Sequence, residues 1–225
     1  MSDSASLDSF IDKWRQRWPE WGLASVFVPA TQRATLSAWL ALLQELRDAA
    51  WAGSDPTPGL AKLAWWQEEL RGWSKGARRH PLGEALQKLD APWDALARSL
   101  TALPATRAPT DAGEDRAQLR TFAAGVLACE SDLFGAGEPR PGDVDGVVEA
   151  LRAERALVQG DLDGAVRLLP ALAAAGGASL VRPRRLQQAL VRERVRLAAR
   201  HGDEDGRSRT PPLRLLFAAW RAARG

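Results

Sequence analysis

A tryptophan-rich segment whose large apolar side chains recur with the period of an α-helix constrains this fold most strongly. These side chains are Leu63, Trp66, Leu70 and Trp73. Their spacing of three, four and three residues places them on one face of a helix, which must then pack against a core. Thr57 is placed to cap this helix and Pro58 to occupy its first position. Gly76 is a suitable residue to end it.

The remaining apolar residues follow the same helical period. Helices are predicted over residues 7–18, 31–51 with Thr31 as the cap, and 143–151 with Asp143 as the cap. No segment alternates apolar and polar residues as a strand would. With 225 residues, 45 % of them apolar, the chain can bury a large core. The sequence therefore predicts a single all-α domain, a helical bundle over residues 1–225, with an exposed linker near 101–113.

The scarcity of cysteine and histidine excludes several kinds of site. Cys129 is the only cysteine, so the chain can form no internal disulfide, and its spacing within a helix predicts a core position. His80 and His201 are too few for histidine-based zinc sites or a catalytic triad to be argued. The sequence shows neither a secretory signal nor a transmembrane segment. These features predict a cytoplasmic protein that could still contact a membrane peripherally.

A second pattern in the tryptophan-rich segment has a known counterpart. Lys62 stands four residues before Trp66, an acidic helix body follows, and His80-Pro81-Leu82 comes next. This order resembles the squalene/phytoene synthase family, whose members condense prenyl diphosphates head to head. The resemblance extends loosely from about Thr31 to Trp220. It implies an all-α bundle of the isoprenoid synthase type.

The resemblance also indicates where a first metal-binding motif should lie. In this family, two aspartate-rich motifs on facing helices hold the substrate diphosphates through Mg²⁺, which prefers oxygen ligands. The first motif falls on residues 47–51, where Arg47 and Trp51 replace its outer aspartates. Asp48 and Glu45 remain, one helical turn apart. They could hold one weakly bound metal or another cation, or they could form a solvated acidic face.

The second motif is more strongly altered. The matching segment, residues 164–177, contains no carboxylate. Asp161 and Asp163 precede it, but at a spacing of two residues their side chains would diverge on a helix, and glycines flank them in a predicted loop. The sequence therefore predicts no metal site.

Arginines are concentrated after residue 181, and the only acid among them is Glu193. They are Arg182, Arg184, Arg185, Arg192, Arg194, Arg196 and Arg200. Such a cluster can attract a diphosphate or anionic lipid, or it can be a solvated face. No aromatic residue lies among the arginines, so no nucleic-acid partner is expected. The candidate residues for binding a ligand or cation are Glu45, Arg47, Asp48, Lys62, Arg182, Arg184 and Arg185.

These observations predict a non-catalytic protein that binds an isoprenoid or acts in assembly, without a cofactor. The altered motifs resemble a degenerate branch of the family similar to respiratory complex assembly factors. The expected partners are an isoprenoid diphosphate or lipid and a further protein. The alternative is an active prenyl-diphosphate condensing transferase that requires Mg²⁺. A third hypothesis, a basic protein for membranes or nucleic acid, depends only on the arginine cluster.

Overall fold

The computed structural model describes residues 3–135, 140–175, 177, 179–201 and 211–224, and these residues contain helices but no strand. The all-α prediction is confirmed. The α-helices are α1 (Asp3–Arg17), α2 (Trp21–Ala24), α3 (Arg33–Trp51), α4 (Thr57–Trp73), α5 (Leu82–Leu86), α6 (Trp93–Ser99), α7 (Ala112–Phe134), α8 (Pro141–Val158), α9 (Leu162–Arg167), α10 (Leu169–Ala174), α11 (Arg182–His201) and α12 (Pro212–Arg224). Short 3₁₀ helices span Ser25–Phe27, Ala30–Gln32, Leu100–Ala102 and Pro104–Thr106.

The chain divides into two compact units. Unit 1 comprises Met1–Trp18 and Thr31–Ala136, and unit 2 comprises Pro19–Ala30 and Gly137–Gly225. Unit 1 thus contains α1 and α3 to α7, whereas unit 2 contains α2 and α8 to α12. A single domain over residues 1–225 stays a prediction.

The core of unit 1 is built on α3 and the predicted face of α4. Its largest fully buried side chains include four tryptophans, Trp39, Trp51, Trp66 and Trp73. Leu63 and Leu70 are also buried, which confirms the whole apolar face predicted for α4. Each indole removes a large apolar area from water, so this face contributes strongly to the stability of unit 1.

Helices α3 and α4 pack closely at Gly59, which has no side chain. A Cβ atom on Gly59 would lie 2.1 Å from the carbonyl oxygen of Ala49, so a larger residue would force the helices apart. Lys62 lies one turn after Gly59, and Glu45 lies one turn before Ala49. The close approach therefore brings the side chains of Lys62 and Glu45 within reach of each other.

Two helix starts differ from their predicted positions. Thr57 is the first residue of α4, and its backbone N–H donates to Asp55 Oδ1 at 2.9 Å. Asp55 thus performs the role predicted for Thr57, because its carboxylate, two residues earlier, already accepts the first free N–H group of the helix. Thr31 lies in the 3₁₀ helix that precedes α3, so it does not cap that helix.

The predicted exposed linker is shorter than expected. Two 3₁₀ helices, Leu100–Ala102 and Pro104–Thr106, occupy its first part, and Leu103 between them and Thr106 are buried. Thr106 accepts a hydrogen bond from Trp51 Nε1 at 3.0 Å. Arg107 donates to the carbonyl oxygens of Ala50 and Ala52 at the end of α3. These contacts anchor the first half of the segment, and only residues 108–114 are exposed throughout.

Cys129 lies on the buried side of α7, as predicted. Burial raises the pKa of its thiol above the ordinary value, and the charges of Glu130 and Asp132 raise it further. The thiol therefore stays protonated, and Cys129 acts as a small apolar core residue.

In unit 2, α11 is held by buried polar contacts to its neighbours. Trp21 Nε1 donates to Gln187 Oε1 at 3.0 Å, and Gln187 Nε2 donates to Glu154 Oε1 at 2.8 Å. This chain of hydrogen bonds links α2, α11 and α8. At the start of α8, Asp143 is the third residue of the helix and accepts from the backbone N–H of Arg140 at 3.2 Å. Asp143 therefore contributes to the N-terminal cap of α8 as predicted, but from the third helical position, because Arg140 occupies the cap position itself.

Candidate functional site

The carboxylate of Glu45 is the centre of the candidate site in unit 1. Its Oε1 lies 2.6 Å from Lys13 Nζ, and its Oε2 lies 2.5 Å from Lys62 Nζ. The side chain of Glu45 is only 5 % exposed, whereas those of Lys13 and Lys62 are 57 % and 40 % exposed. The buried acid on α3 thus forms one ion pair with a lysine of α1 and a second with a lysine of α4.

The two lysines keep Glu45 ionised. Burial raises the pKa of this carboxyl group, but the hydrogen bonds and charges of Lys13 and Lys62 outweigh it. The pKa of Glu45 consequently lies below its ordinary value of 4.5. At neutral pH, its negative charge is balanced by protein cations.

Asp48 and Arg47, the residues beside Glu45 on α3, also make internal contacts. Asp48 Oδ1 accepts from Gln44 Nε2 at 2.7 Å and lies 3.7 Å from Arg17 Nη2. Arg47 is buried, and its Nε donates to the carbonyl oxygen of Leu43 at 3.0 Å. Each of the three candidate residues on α3 is therefore engaged by groups of unit 1.

These residues do not fit a Mg²⁺ site. Mg²⁺ requires several hard oxygen ligands in near-octahedral geometry. Glu45 and Asp48 supply carboxylates, but Lys13, Lys62 and Arg17 already compensate them. A divalent cation would have to displace those basic groups. Across the described residues, no group of three or more His, Cys, Asp or Glu side chains is arranged to hold a metal ion.

His80, which lies between α4 and α5, belongs to an aromatic cluster with side chains of α1 and α4. Its ring centre lies 4.4 Å from that of Phe10, 4.5 Å from that of Trp66 and 5.8 Å from that of Trp65. Its Nδ1 accepts a hydrogen bond from the backbone N–H of Leu82 at 3.1 Å, which identifies the other ring nitrogen as the protonated one in neutral His80. His80 and Pro81 thus form the turn into α5, and the ring of His80 packs against the aromatic side chains.

The environment of His80 favours its neutral form. Burial is the largest influence and lowers the pKa, and Lys62 lowers it as well. The negative charges of Glu45 and Glu69 raise the pKa of His80, but by less. The net effect lowers the pKa of His80 from 6.5 to about 4, so it is uncharged at neutral pH.

Glu69 is a buried acid that the sequence interpretation missed. It accepts hydrogen bonds from Trp73 Nε1 at 2.9 Å and from the backbone N–H groups of Arg79 and His80 at 2.7 and 2.8 Å. Arg79 Nε adds a contact at 3.1 Å. Burial raises the pKa of Glu69, but these hydrogen bonds lower it below the ordinary value. The spacing of Glu69 and Trp73, one helical turn on an apolar face, was the available signal.

The acids before the predicted second motif have a structural role. Asp161 accepts the backbone N–H of Gly164 at 2.8 Å and caps α9. Asp163 is exposed in the first turn of this helix. The prediction of a loop here was wrong, because the Asp161 cap allows a helix to start immediately.

The three arginine candidates of unit 2 have different surroundings. Arg182 is exposed and donates to the carbonyl oxygen of Phe27 at 3.2 Å, whereas Arg184 is buried. Arg185 donates to the carbonyl oxygens of Ala222 and Ala223 at the end of α12, at 2.9 and 3.2 Å. Arg182 and Arg185 are thus engaged by backbone carbonyl oxygens of unit 2, and a role of the three arginines in ligand binding stays a prediction.

Arginines further along α11 form ion pairs within unit 2. Arg194 donates to both carboxylate oxygens of Glu20, at 2.8 and 2.7 Å. Glu193 pairs with Arg196 at 2.5 Å and with Arg214 at 2.6 Å. The interpretation of the cluster as one solvated face was thus too simple, because these arginines join α11 to α2 and α12.

Comparison with known proteins agrees with the pattern at residues 62–82. The sequence model of the squalene/phytoene synthase family matches residues 20–129, a range that contains Glu45, Lys62, Trp66 and His80. Searches of curated proteins and of solved structures each found no significant match. The segment 164–177, to which the sequence interpretation extended the resemblance, lies outside the matched range. The resemblance to a branch of assembly factors stays a prediction.

The all-α architecture is consistent with the isoprenoid synthase type that this family implies. None of the described helices combines the length and the apolar character needed to cross a membrane. Over residues 20–129, just under half of its length, the chain is similar to the squalene/phytoene synthase family.

Proposed function

We propose that this squalene/phytoene synthase-like protein does not condense prenyl diphosphates, and instead binds an isoprenoid diphosphate or acts in assembly. The observation that supports this most strongly is that two lysines form ion pairs with Glu45. An acid near the first motif serves as an internal ion-pair partner of Lys13 and Lys62. Because both carboxylate oxygens of Glu45 already contact an ammonium group, a metal ion would have to compete with the lysines for them.

The charge balance of this face supports metal-independent binding of an anion. Condensation begins when an allylic diphosphate ionises, and the family stabilises the departing diphosphate with Mg²⁺ held by carboxylates. Here the two carboxylates, Glu45 and Asp48, lie among four basic side chains: Lys13, Arg17, Arg47 and Lys62. The lysines are about half exposed, so their ammonium groups could contact a diphosphate directly.

The second candidate is an active prenyltransferase. The family match over residues 20–129 favours it, because that range includes the segment around Lys62 and His80. Activity would require Glu45 and Asp48 to exchange their basic partners for Mg²⁺. The two candidates therefore differ in whether binding of a diphosphate depends on the metal.

Calorimetric titration with farnesyl diphosphate distinguishes them. The proposal predicts binding in EDTA with an affinity similar to that in Mg²⁺, and weaker binding by Lys62→Met. Lys75→Met is the matched control, since Lys75 is exposed outside this face. Farnesol serves to separate the contribution of the hydrocarbon chain from that of the diphosphate. Binding that requires Mg²⁺ would favour the transferase, and no binding of either compound would exclude the isoprenoid ligand.

A further inference from the structure

Exposed apolar side chains are concentrated on and beside α12. Leu213, Phe217 and Trp220 of this helix are 83 %, 59 % and 41 % exposed. Val26 is also exposed, and its 3₁₀ helix, Ser25–Phe27, packs against α12. In the part of the chain that the structure describes, the one other exposed large apolar residue is Leu60 of unit 1.

The exposed side chains form one stripe on a helix whose opposite face is anchored. Leu213, Phe217 and Trp220 follow a spacing of four and three residues, and the rings of Phe217 and Trp220 stack with their centres 5.8 Å apart. Leu215 and Ala219 are buried. Arg185 binds the carbonyl oxygens at the end of the helix. The packing of unit 2 thus holds this stripe toward solvent.

Positive charge borders the stripe. The guanidinium of Arg221 lies 6.0 Å from the ring centre of Phe217, and that of Arg224 lies 4.6 Å from the ring centre of Trp220. Residues 212–224 contain no Asp or Glu. Arg182, bonded to the carbonyl of Phe27 beside Val26, adds an exposed cation. Apolar and aromatic side chains flanked by arginine are typical of helices that lie in a membrane interface.

We propose that Val26, Leu213, Phe217 and Trp220, with Arg182, Arg221 and Arg224, form a surface that docks on an anionic lipid bilayer. The apolar stripe would enter the boundary between head groups and acyl chains, while the arginines contact lipid phosphates. A symmetric contact with a second copy is disfavoured, because it would bring the same arginines together. This inference does not depend on the function proposed for unit 1.

Vesicle co-sedimentation of the full chain tests this proposal. We expect binding to vesicles of phosphatidylcholine and phosphatidylglycerol, much weaker binding to phosphatidylcholine alone, and weakening by salt. The double variant Leu213→Ser/Phe217→Ser should bind the anionic vesicles at least about tenfold more weakly, because two apolar anchors are lost. Arg221→Gln/Arg224→Gln should reduce the preference for the anionic vesicles. Leu60→Ser is the matched control and should bind normally.

Three outcomes would overturn the proposal. The first is that the protein binds neither kind of vesicle. The second is that Leu60→Ser weakens binding as much as the double variant, although both retain the circular dichroism spectrum of the unchanged chain. The third is that light scattering shows a dimer that Leu213→Ser/Phe217→Ser converts to a monomer, since α12 would then contact a second copy.

Discussion

Lys62 Nζ lies 2.5 Å from Glu45 Oε2, and this contact joins the lysine that begins the family pattern to the acid that precedes the altered motif. The ammonium group of Lys13 occupies the other oxygen of the same carboxylate. The two lysines come from different helices, so the buried acid fastens α1 and α4 to α3. An acid beside the altered metal motif thus contributes to the packing of unit 1.

Removal of the lysines should destabilise unit 1 in a non-additive way. Lys62→Met or Lys13→Met alone should lower the free energy of unfolding by about 1 kcal/mol, because each lysine is partly exposed and screened by solvent. The double variant should lose about 3 kcal/mol or more, since the buried Glu45 then has no counter-charge. Urea unfolding measures these differences, with Lys75→Met as the control. Additive losses would show that the lysines act independently.

Glu69 should be far more important for stability than its neighbour Glu68. Glu69→Ala leaves the backbone N–H groups of Arg79 and His80 without their acceptor, and should lower the free energy of unfolding by about 3 kcal/mol. Glu68→Ala removes only a surface acid and should change it by about 0.5 kcal/mol or less. Chemical denaturation of both variants provides the comparison. Equal effects would contradict the role assigned to Glu69.

Two buried tryptophans should respond differently to replacement by phenylalanine. Among the described residues, Trp66 Nε1 has no hydrogen-bond partner, whereas Trp73 Nε1 donates to Glu69. Trp73→Phe should therefore destabilise by about 1–2 kcal/mol more than Trp66→Phe, because it leaves Glu69 short of a donor.

Trp66→Ala should lower the free energy of unfolding by about 3–5 kcal/mol, since it opens a cavity in the core. Thermal melts of the variants of Trp66 and Trp73 measure both effects. An unchanged melt for Trp66→Ala would exclude the packing role of this side chain.

His80 should make stability fall under mildly acidic conditions. Its pKa is about 4 in the folded chain against 6.5 without the surrounding structure, so the unfolded chain takes up the proton first as the pH falls. This contribution is complete above pH 6.5 and is lost as the pH falls through about 4. With allowance for solvent screening, the free energy of unfolding should fall by about 1–2 kcal/mol between neutral pH and about pH 5.

His80→Asn should reduce that loss, because Asn removes the titration while its side-chain oxygen can still accept from the N–H of Leu82. Urea unfolding of both proteins at the two pH values isolates the histidine. The same pH dependence in the variant would exclude His80 as its origin.

Local periodicity was sufficient to predict the helices and the buried face of α4. The four residues from Leu63 to Trp73 are close in sequence, so their spacing alone determines that they share a face. Helix starts were less predictable. At Thr57, a hydroxyl that could cap the helix competes with the carboxylate of Asp55 two residues earlier, and the sequence does not reveal which is used.

Contacts distant in sequence could not be predicted. Lys13 and Glu45 are 32 residues apart, and Arg185 is 37 residues from Ala222. Glu45 and Lys62 were predicted to bind a ligand from their places in the family pattern, and Arg185 from its place in the arginine cluster. The sequence does not reveal that these charged groups bind to one another or to backbone carbonyls within the protein, because those contacts depend on how the helices pack.

The most direct test of the central claim is a pyrophosphate-release assay with Mg²⁺ and farnesyl or geranylgeranyl diphosphate. If each altered motif forfeits about 3–4 kcal/mol of transition-state stabilisation, turnover should be about four to six orders of magnitude slower than with intact motifs. An active prenyl synthase serves as the positive control, and we expect no detectable release by this protein. Mg²⁺-dependent release at an ordinary enzymatic rate, abolished by Glu45→Gln, would contradict the account by showing that Glu45 gives up its lysines to bind the metal.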